Sequence, residues 1–313
     1  MKYVKNLSEI NKNNVDIAGG KGASLGELIN AGVAVPPGFV LLSGAFKKFT
    51  NQSTIKSEIK KALDQTKIDD VNSIDKASNV LRDVIHDITI QPEIVDEILE
   101  SHKQLNSSYV AVRSSATAED SQLASWAGEL ETYLNTTEAD LIENIKKCWS
   151  SLFTSRAIFY RHEKKLIDHD VEVAVVVQKM IQSEISGICF TVHPVTQDKN
   201  QMIIEASFGL GEAIVSGAIT PDSYIIDKNN LEITNINIGQ QNKKMVQENN
   251  KNVWLDLSAE ESSKQKLNED LTKEVAKTCQ KVEDHYGFPC DIEWAIENGE
   301  LYITQSRPIT TLK

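Results

Sequence analysis

Several things are scarce in this 313-residue sequence, and each shortage removes a class of explanation. Positive charge falls behind negative: 33 Lys and Arg face 45 Asp and Glu, a formal net charge of −12. A surface of that sign repels phosphodiester backbones and anionic lipid, so neither nucleic acid nor a membrane is expected as a partner. It still leaves room for a local basic pocket that takes a small polyanion. Long apolar runs are also missing. No stretch offers the roughly 20 apolar residues of a membrane span, and the opening MKYVKNLSEI carries no apolar leader segment. Cysteine is rare: Cys148, Cys189, Cys279 and Cys290 lie far apart and never form a C-x-x-C pair. That spacing suits neither zinc nor a disulfide framework, and the cytosol is the expected compartment. Cys148 and Cys189 fall in apolar patterns and are expected in the core.

Familiar catalytic signatures are missing too. There is no G-x-S-x-G elbow, which leaves a hydrolase triad little support. Gly19-Gly20-Lys21-Gly22 is no Walker A loop, because Val15 stands five before Gly20 and Gly22 occupies the Ser/Thr position. Gly209-Leu210-Gly211-Glu212 lacks the third glycine of a dinucleotide loop and is expected to pack backbone after a strand ending at Glu205. None of the six histidines (His86, His102, His162, His169, His193 and His285) sits in a glycine-rich loop that would expose a nucleophile. The first four are expected at the surface.

What is present reads as mixed helix and strand. A short helix is expected from Ala23 to Asn30, then a turn at Val35-Pro36-Pro37-Gly38, then surface helices over residues 54–105. Tyr109 to Arg113 reads as a strand. Leu141, Ile145, Cys148, Trp149, Leu152 and Phe153 share one face of a helix expected to run to about residue 163. Apolar strands follow over 172–178, 187–191 and 202–205, with a weaker one near Ile233 and a polar loop over 239–253. A helix over 269–286 stops at Gly287, and a hairpin turns at Asn298-Gly299. The expected fold class is α+β, one module of two lobes, 1–170 and 171–313.

Three places suit anion or metal chemistry. Lys21 lies among glycines at a helix start, where close backbone and positive potential favour phosphate. Taken alone, the tetrapeptide favours the plainer reading of a turn with an exposed lysine. Arg113, followed by Ser114, Ser115 and Thr117, offers a guanidinium fork and hydroxyls; a strand-end arginine paired with Glu119 or Asp120 explains it as well. In the hairpin, Asp291 and Glu293 alternate and share a face, with Ile292 and Trp294 on the other. Gln305 and Arg307 likewise share a face on the returning segment. Two carboxylates, an amide oxygen and a guanidinium make an Mg²⁺–triphosphate site; a solvated polar sheet face is the alternative.

Seven stretches then fall into one order: GGKGASLGELINAGVAVPPGF from Gly19, AVRSSATAEDSQLASWAGELETYLN from Ala111, CWSSLFTSRAIFYR from Cys148, VVVQKM from Val175, SGICFTVHPVT from Ser186, IIEASFGLGEAIVSGAITPDSYIID from Ile203 and DIEWAIENGELYITQSRPIT from Asp291. In that order they resemble the N-terminal ATP-binding domain shared by phosphoenolpyruvate synthase, pyruvate phosphate dikinase and rifampin phosphotransferase. The resemblance implies an ATP-grasp-like fold whose two lobes clamp the nucleotide. It implies that Lys21, Arg113 and Arg307 act on the phosphates, with Thr117 also at the nucleotide. Gln178, Met180 and Ile181 would lie along adenine, and Glu184 would reach the ribose or base. Asp291, Glu293 and Gln305 would hold Mg²⁺. It further implies a phosphohistidine domain, in cis or in trans, and a small-molecule acceptor bound elsewhere. Trp126, the pair Val192-His193 and Cys290 depart from the usual pattern. A rifampin phosphotransferase domain and a non-catalytic nucleotide-binding regulatory module remain the other readings.

Overall fold

A computed structural model of the chain describes residues 2–117, 131–163, 172–310 and 312, so Glu119, Asp120, Trp126 and His169 lie outside the described residues. It divides into two compact units, Met1–Glu27 with Pro37–Met180, and Leu28–Pro36 with Ile181–Lys313, each with its own sheet and core.

In the first unit, β1 (Val4–Asn6), β2 (Gly38–Leu41), β3 (Val110–Ala116), β4 (Thr132–Thr136) and β5 (Val173–Lys179) form an antiparallel sheet in the order β1-β2-β5-β3-β4. The near-continuous apolar run of β5 suits its central place, hydrogen-bonded on one side to β2 and on the other to β3. The expectation that this strand opens the second lobe is therefore corrected: the division falls after Met180, because strand pairing ties β5 to the first sheet.

Helices α1 (Val15–Asn30), α2 (Ser43–Thr50), α3 (Ser53–Asp64), α4 (Val71–Asp87), α5 (Pro92–Leu105), α6 (Glu138–Ser150) and α7 (Ser155–Glu163) complete the first half of the chain. Val110, Val112, Val173, Val175 and Val177 turn one sheet face toward the core, where Trp149 packs with ring centroids 5.8 and 4.9 Å from Phe46 and Phe49. The helix expected to run unbroken to residue 163 is interrupted by a tight turn at Ser151–Phe153. Ser151 Oγ donates to the Cys148 carbonyl at 2.7 Å, and Thr154 Oγ1 accepts from the Ala157 amide at 3.1 Å, so hydroxyls end one helix and start the next. Leu152 and Phe153 nevertheless stay buried. His102, expected at the surface, is buried near the end of α5, 3.6 Å from Glu138.

The second unit holds β6 (Ile185–Phe190), β7 (Gln201–Phe208), β8 (Asp222–Asp227), β9 (Ile233–Asn237), β10 (Lys243–Glu248), β11 (Lys251–Asp256), β12 (Cys290–Glu297) and β13 (Glu300–Pro308), with helices α8 (Glu212–Val215), α9 (Ala259–Ser262) and α10 (Glu269–Tyr286). Six of the strands make an antiparallel sheet in the order β13-β12-β6-β7-β8-β9. Helix α10 ends at Gly287, whose φ of 76° is the left-handed cap glycine favours. Val275, Ala276, Cys279 and Val282 share the core with Met202, Ile204, Tyr224, Ile292 and Trp294.

Strands β10 and β11 pair with one another as a sheet of two, in the segment expected to be a polar loop, and Met245 of β10 also bridges Gly209 in parallel. Asn249 and Asn250 have φ of 48° and 64°, the two left-handed residues that a tight hairpin needs. A buried ion pair fixes the approach to this hairpin. Lys266 Nζ meets Asp222 Oδ1 at 2.9 Å and donates to the Gly239 carbonyl at 2.6 Å, while Asp222 also accepts from the amides of Gly239 and Lys266 and from Tyr224 Oη. Gln241 then mimics a strand, its side-chain amide bonding both the N–H and the carbonyl of Phe208 at 2.9 Å.

Candidate functional site

In the first unit the candidate residues gather on the sheet face turned away from the Trp149 core. Val110, Val112 and Ala116 of β3 point into that core, so Arg113 and Ser115 point the other way, and Thr117 follows just past the strand end. On β5, Gln178 lies opposite Ala111, on the same face, and Arg113 Nη1 donates to Gln178 Oε1 at 3.3 Å. Both side chains belong to buried residues. The Met180 amide bonds the Tyr109 carbonyl at 3.0 Å, which aligns the chain as it leaves β5. Thr117 Oγ1 donates to the Glu172 carbonyl at 3.1 Å.

Lys21 is placed by a feature that local sequence does not announce. The helix expected from Ala23 begins at Val15, but Gly19 breaks it with φ 70° and ψ 172°. A Cβ on Gly19 would stand 2.3 Å from the Ser115 carbonyl oxygen, so only glycine allows this approach to β3. Ser115 Oγ donates to the Ala18 carbonyl at 2.9 Å and accepts from the Gly22 amide at 3.2 Å. The hydroxyl therefore bridges the kink and caps the second helical stretch, in whose first turn Lys21 lies. The sequence reading offered Ser115 as a hydroxyl for an anion and missed its capping role, because a cap from 93 positions away leaves no local signal.

In the second unit, β12 and β13 bring Asp291 opposite Arg307 and Glu293 opposite Gln305. Ile292, Trp294 and Ile296 fill the core on the other face. A bulge decides the arrangement. Leu301 and Ile303 point into the core, and strict alternation would send Gln305 and Arg307 after them. Register shifts between Glu293 and Trp294, whose partners are Gln305 and Ile303, leaving Thr304 as the extra residue. Gln305 and Arg307 are thereby turned onto the face of Asp291 and Glu293. Gln305 Nε2 donates to Glu293 Oε1 at 3.1 Å, and Arg307 Nε donates to Asp291 Oδ2 at 2.9 Å.

Glu205, which the sequence reading named only as a strand end, lies on the same row. It sits opposite Ile188 on β6, and Ile188 sits opposite Glu293. Burial, and then the charge of Asp291, raise its carboxyl above the ordinary Glu range. Alternation in Ile203-Ile204-Glu205-Ala206 gives its face, but only the sheet order gives its neighbours.

Ile181 is buried, and the segment it opens is tied down at several points. The Gln182 amide donates to Glu297 Oε1 at 2.6 Å, Ser183 Oγ to the Gly209 carbonyl at 3.0 Å, and the Asn298 amide to Glu184 Oε1 at 3.2 Å. The departure at His193 preserves its turn: Nδ1 accepts from the amides of Val195 and Thr196 at 3.3 and 3.2 Å, the job a short carboxylate does elsewhere. Burial pushes the Cys290 thiol up to about 12, so it is an inert core group beside Asp291.

Among the described residues no cluster of three or more His, Cys, Asp or Glu is arranged to hold a metal unaided. The β12–β13 face, with two carboxylates and an amide oxygen, instead suits a hard cation that shares its coordination with phosphate oxygens. Among the described residues no helix is long and apolar enough to cross a membrane.

Comparison with known proteins gives a consistent result. The family described as the pyruvate phosphate dikinase AMP/ATP-binding domain matches residues 15–313. A probable phosphoenolpyruvate synthase of Archaeoglobus fulgidus is 44% identical over 98% of this chain and 41% of its own length. One from Methanothermobacter thermautotrophicus is 40% identical over 100% of this chain and 46% of its own, and the phosphoenolpyruvate synthase of Pyrococcus furiosus 41% identical over 100% and 44%. The chain thus spans less than half the length of these relatives. A D-alanine–D-alanine ligase from Helicobacter pylori aligns with a TM-score of 0.32 at 12% identity, over 75% of this chain and 53% of the ligase.

Proposed function

The chain belongs to the pyruvate phosphate dikinase AMP/ATP-binding domain family, and on that footing we propose that it binds ATP with Mg²⁺ and passes a phosphoryl group to a histidine on another domain. One observation carries the reading: Asp291, Glu293, Gln305 and Arg307 meet on one sheet face because a bulge at Thr304 turns the last two onto it. Carboxylate and amide oxygens are hard donors of the kind Mg²⁺ takes, and Mg²⁺ so held neutralises phosphate charge. Lys21, Arg113 and Arg307 supply fixed positive charge for the phosphates, so the protein's contribution is position and charge rather than a covalent step of its own. Gln178, Met180, Ile181 and Glu184 are assigned to the base and ribose, and Thr117 to the phosphate end. The name shared by the relatives favours pyruvate, giving phosphoenolpyruvate, over an antibiotic hydroxyl as the final acceptor.

Calorimetric titration with Mg-ATP tests the binding step. Glu293→Gln removes a charge and keeps the shape, so it is expected to weaken Mg-ATP binding at least tenfold while leaving the fold intact. Glu143→Gln, in a surface contact with His86, is expected to bind like the parent. Equal affinities in all three proteins would show the hairpin face to be plain solvated surface. The transfer step is tested by mixing the chain with a phosphohistidine domain taken from a relative. Acid-labile label on that domain from labelled ATP is the expected result, and no label despite Mg-ATP binding would remove the transfer from the proposal.

A further inference from the structure

The six-stranded sheet ends in two unlike edges. Strand β13 carries charge at Glu300 and Arg307, whereas β9 and the stretch after it, residues 233–242, carry no charge and no proline. In the order of the sheet β9 has a neighbour, β8, on one side alone, and of the six strands it alone has four exposed residues. Charge and proline are the usual guards of an open edge, because they keep its backbone N–H and C=O groups from pairing with another chain. Here the guard is a bulge: Thr234 is the extra residue, and its Oγ1 donates to the Ile225 carbonyl at 3.1 Å. Beyond it the ladder is regular, with Asn235, Ile236 and Asn237 opposite Ile225, Tyr224 and Ser223. Ile236 shares the face of buried Tyr224, yet it is 41% exposed, and Ile238 is 39% exposed.

This edge is chemically its own complement. Asn235-Ile236-Asn237 reads the same in both directions, so antiparallel pairing centred on Ile236 sets amide against amide and isoleucine against isoleucine. The open groove beside the strand has a neutral border: Lys264 and Lys273 are matched by Glu232 and Glu269, and Lys273 lies 2.6 Å from Glu269. Two chains of net charge −12 repel one another, and an uncharged edge with a neutral border is where they can approach. We infer that β9 is a self-association edge, at which two copies of the chain join their sheets antiparallel about Ile236. A contact one short strand long is small, so the pair is weak and reversible. Three strands separate β9 from β12 and its Asp291–Arg307 cluster, which takes no part.

Sedimentation equilibrium of the full chain tests this. The mean mass is expected to rise from one chain toward two with concentration. In high salt the rise comes at lower concentration, because salt screens the repulsion between acidic copies. Ile236→Lys sets like charges directly opposite and is expected to leave a monomer throughout, although it lowers the net negative charge. Asn235→Lys with Asn237→Lys does the same. Asn235→Lys with Asn237→Glu restores the pair, since each introduced cation then faces an introduced anion. All three positions are exposed, and thermal transitions measured where the parent is monomeric report that each variant is folded. A parent that stays monomeric at every concentration and salt, a pair that survives Ile236→Lys, or an opposite-charge variant that stays monomeric overturns the proposal. So does a monomer that takes up a labelled peptide of residues 233–238, which would make the edge a place for an extended strand of another protein.

Discussion

Single side chains place the candidate residues of each unit, and two of them act through partners that no local motif shows. Ser115 holds the kink between Ala18 and Gly22 and so fixes the turn that carries Lys21. Ser115→Ala is expected to lower stability by about 1 kcal/mol, as loss of a helix cap does, read by denaturant unfolding, and to weaken ATP binding without altering the metal dependence. Glu205 predicts a pH effect. Its raised folded-state pKa means that the unfolded chain ionises first as pH climbs, so its cost to folding is absent in acid and grows through and above the ordinary Glu range. In metal-free buffer Glu205→Gln is therefore expected to raise the melting temperature at about pH 8 and leave it unchanged at about pH 4. The opposite order, stabilisation in acid only, would mean that burial does not penalise this carboxylate.

Elements were legible where their signals are local. Asn298 and Gly299 turn the β12–β13 hairpin with φ of 52° and 77°, and helix α10 spans the expected residues because Gly287 stops it. Signals that lie in pairing were not legible. Asn249-Asn250 turns a hairpin without the glycine that usually marks one, and the bulge at Thr304 shows only against β12. The buried Asp222–Lys266 pair is likewise a contact across 44 residues, with both side chains fully inaccessible. Removing one member of such a pair leaves an uncompensated charge in the interior. Lys266→Met is thus expected to cost about 3–5 kcal/mol in chemical denaturation, far more than loss of the exposed Lys273–Glu269 pair.

At the scale of the whole chain, each unit has its own core behind its own cluster of candidate residues, one core around Trp149 and one around Trp294. The net charge is −12, yet Arg113 and Arg307 each sit at a placed polar position within that acidic molecule. A ligand that binds only the folded protein raises its stability by mass action. Mg-ATP at a hundredfold excess over its dissociation constant is expected to add about 2.7 kcal/mol, read as an upward shift of the thermal transition. ATP with chelator should shift it less, and no shift with either would contradict binding by the folded chain.

By itself the sequence determined the α+β class, the apolar alternation of the strands, the facing of Asp291 with Glu293, and, through seven ordered stretches, the family. These follow from chemistry carried by neighbours in the chain: period-two patterning, cap residues and turn glycines act over a few positions. The tertiary structure decided which sheet β5 joins, where the unit boundary falls, which way Gln305 and Arg307 face, and which residue caps the Lys21 helix. Each of those depends on a partner far along the chain. Register and capping there are chosen by the total burial and hydrogen bonding of the packed unit, a sum that no local window contains.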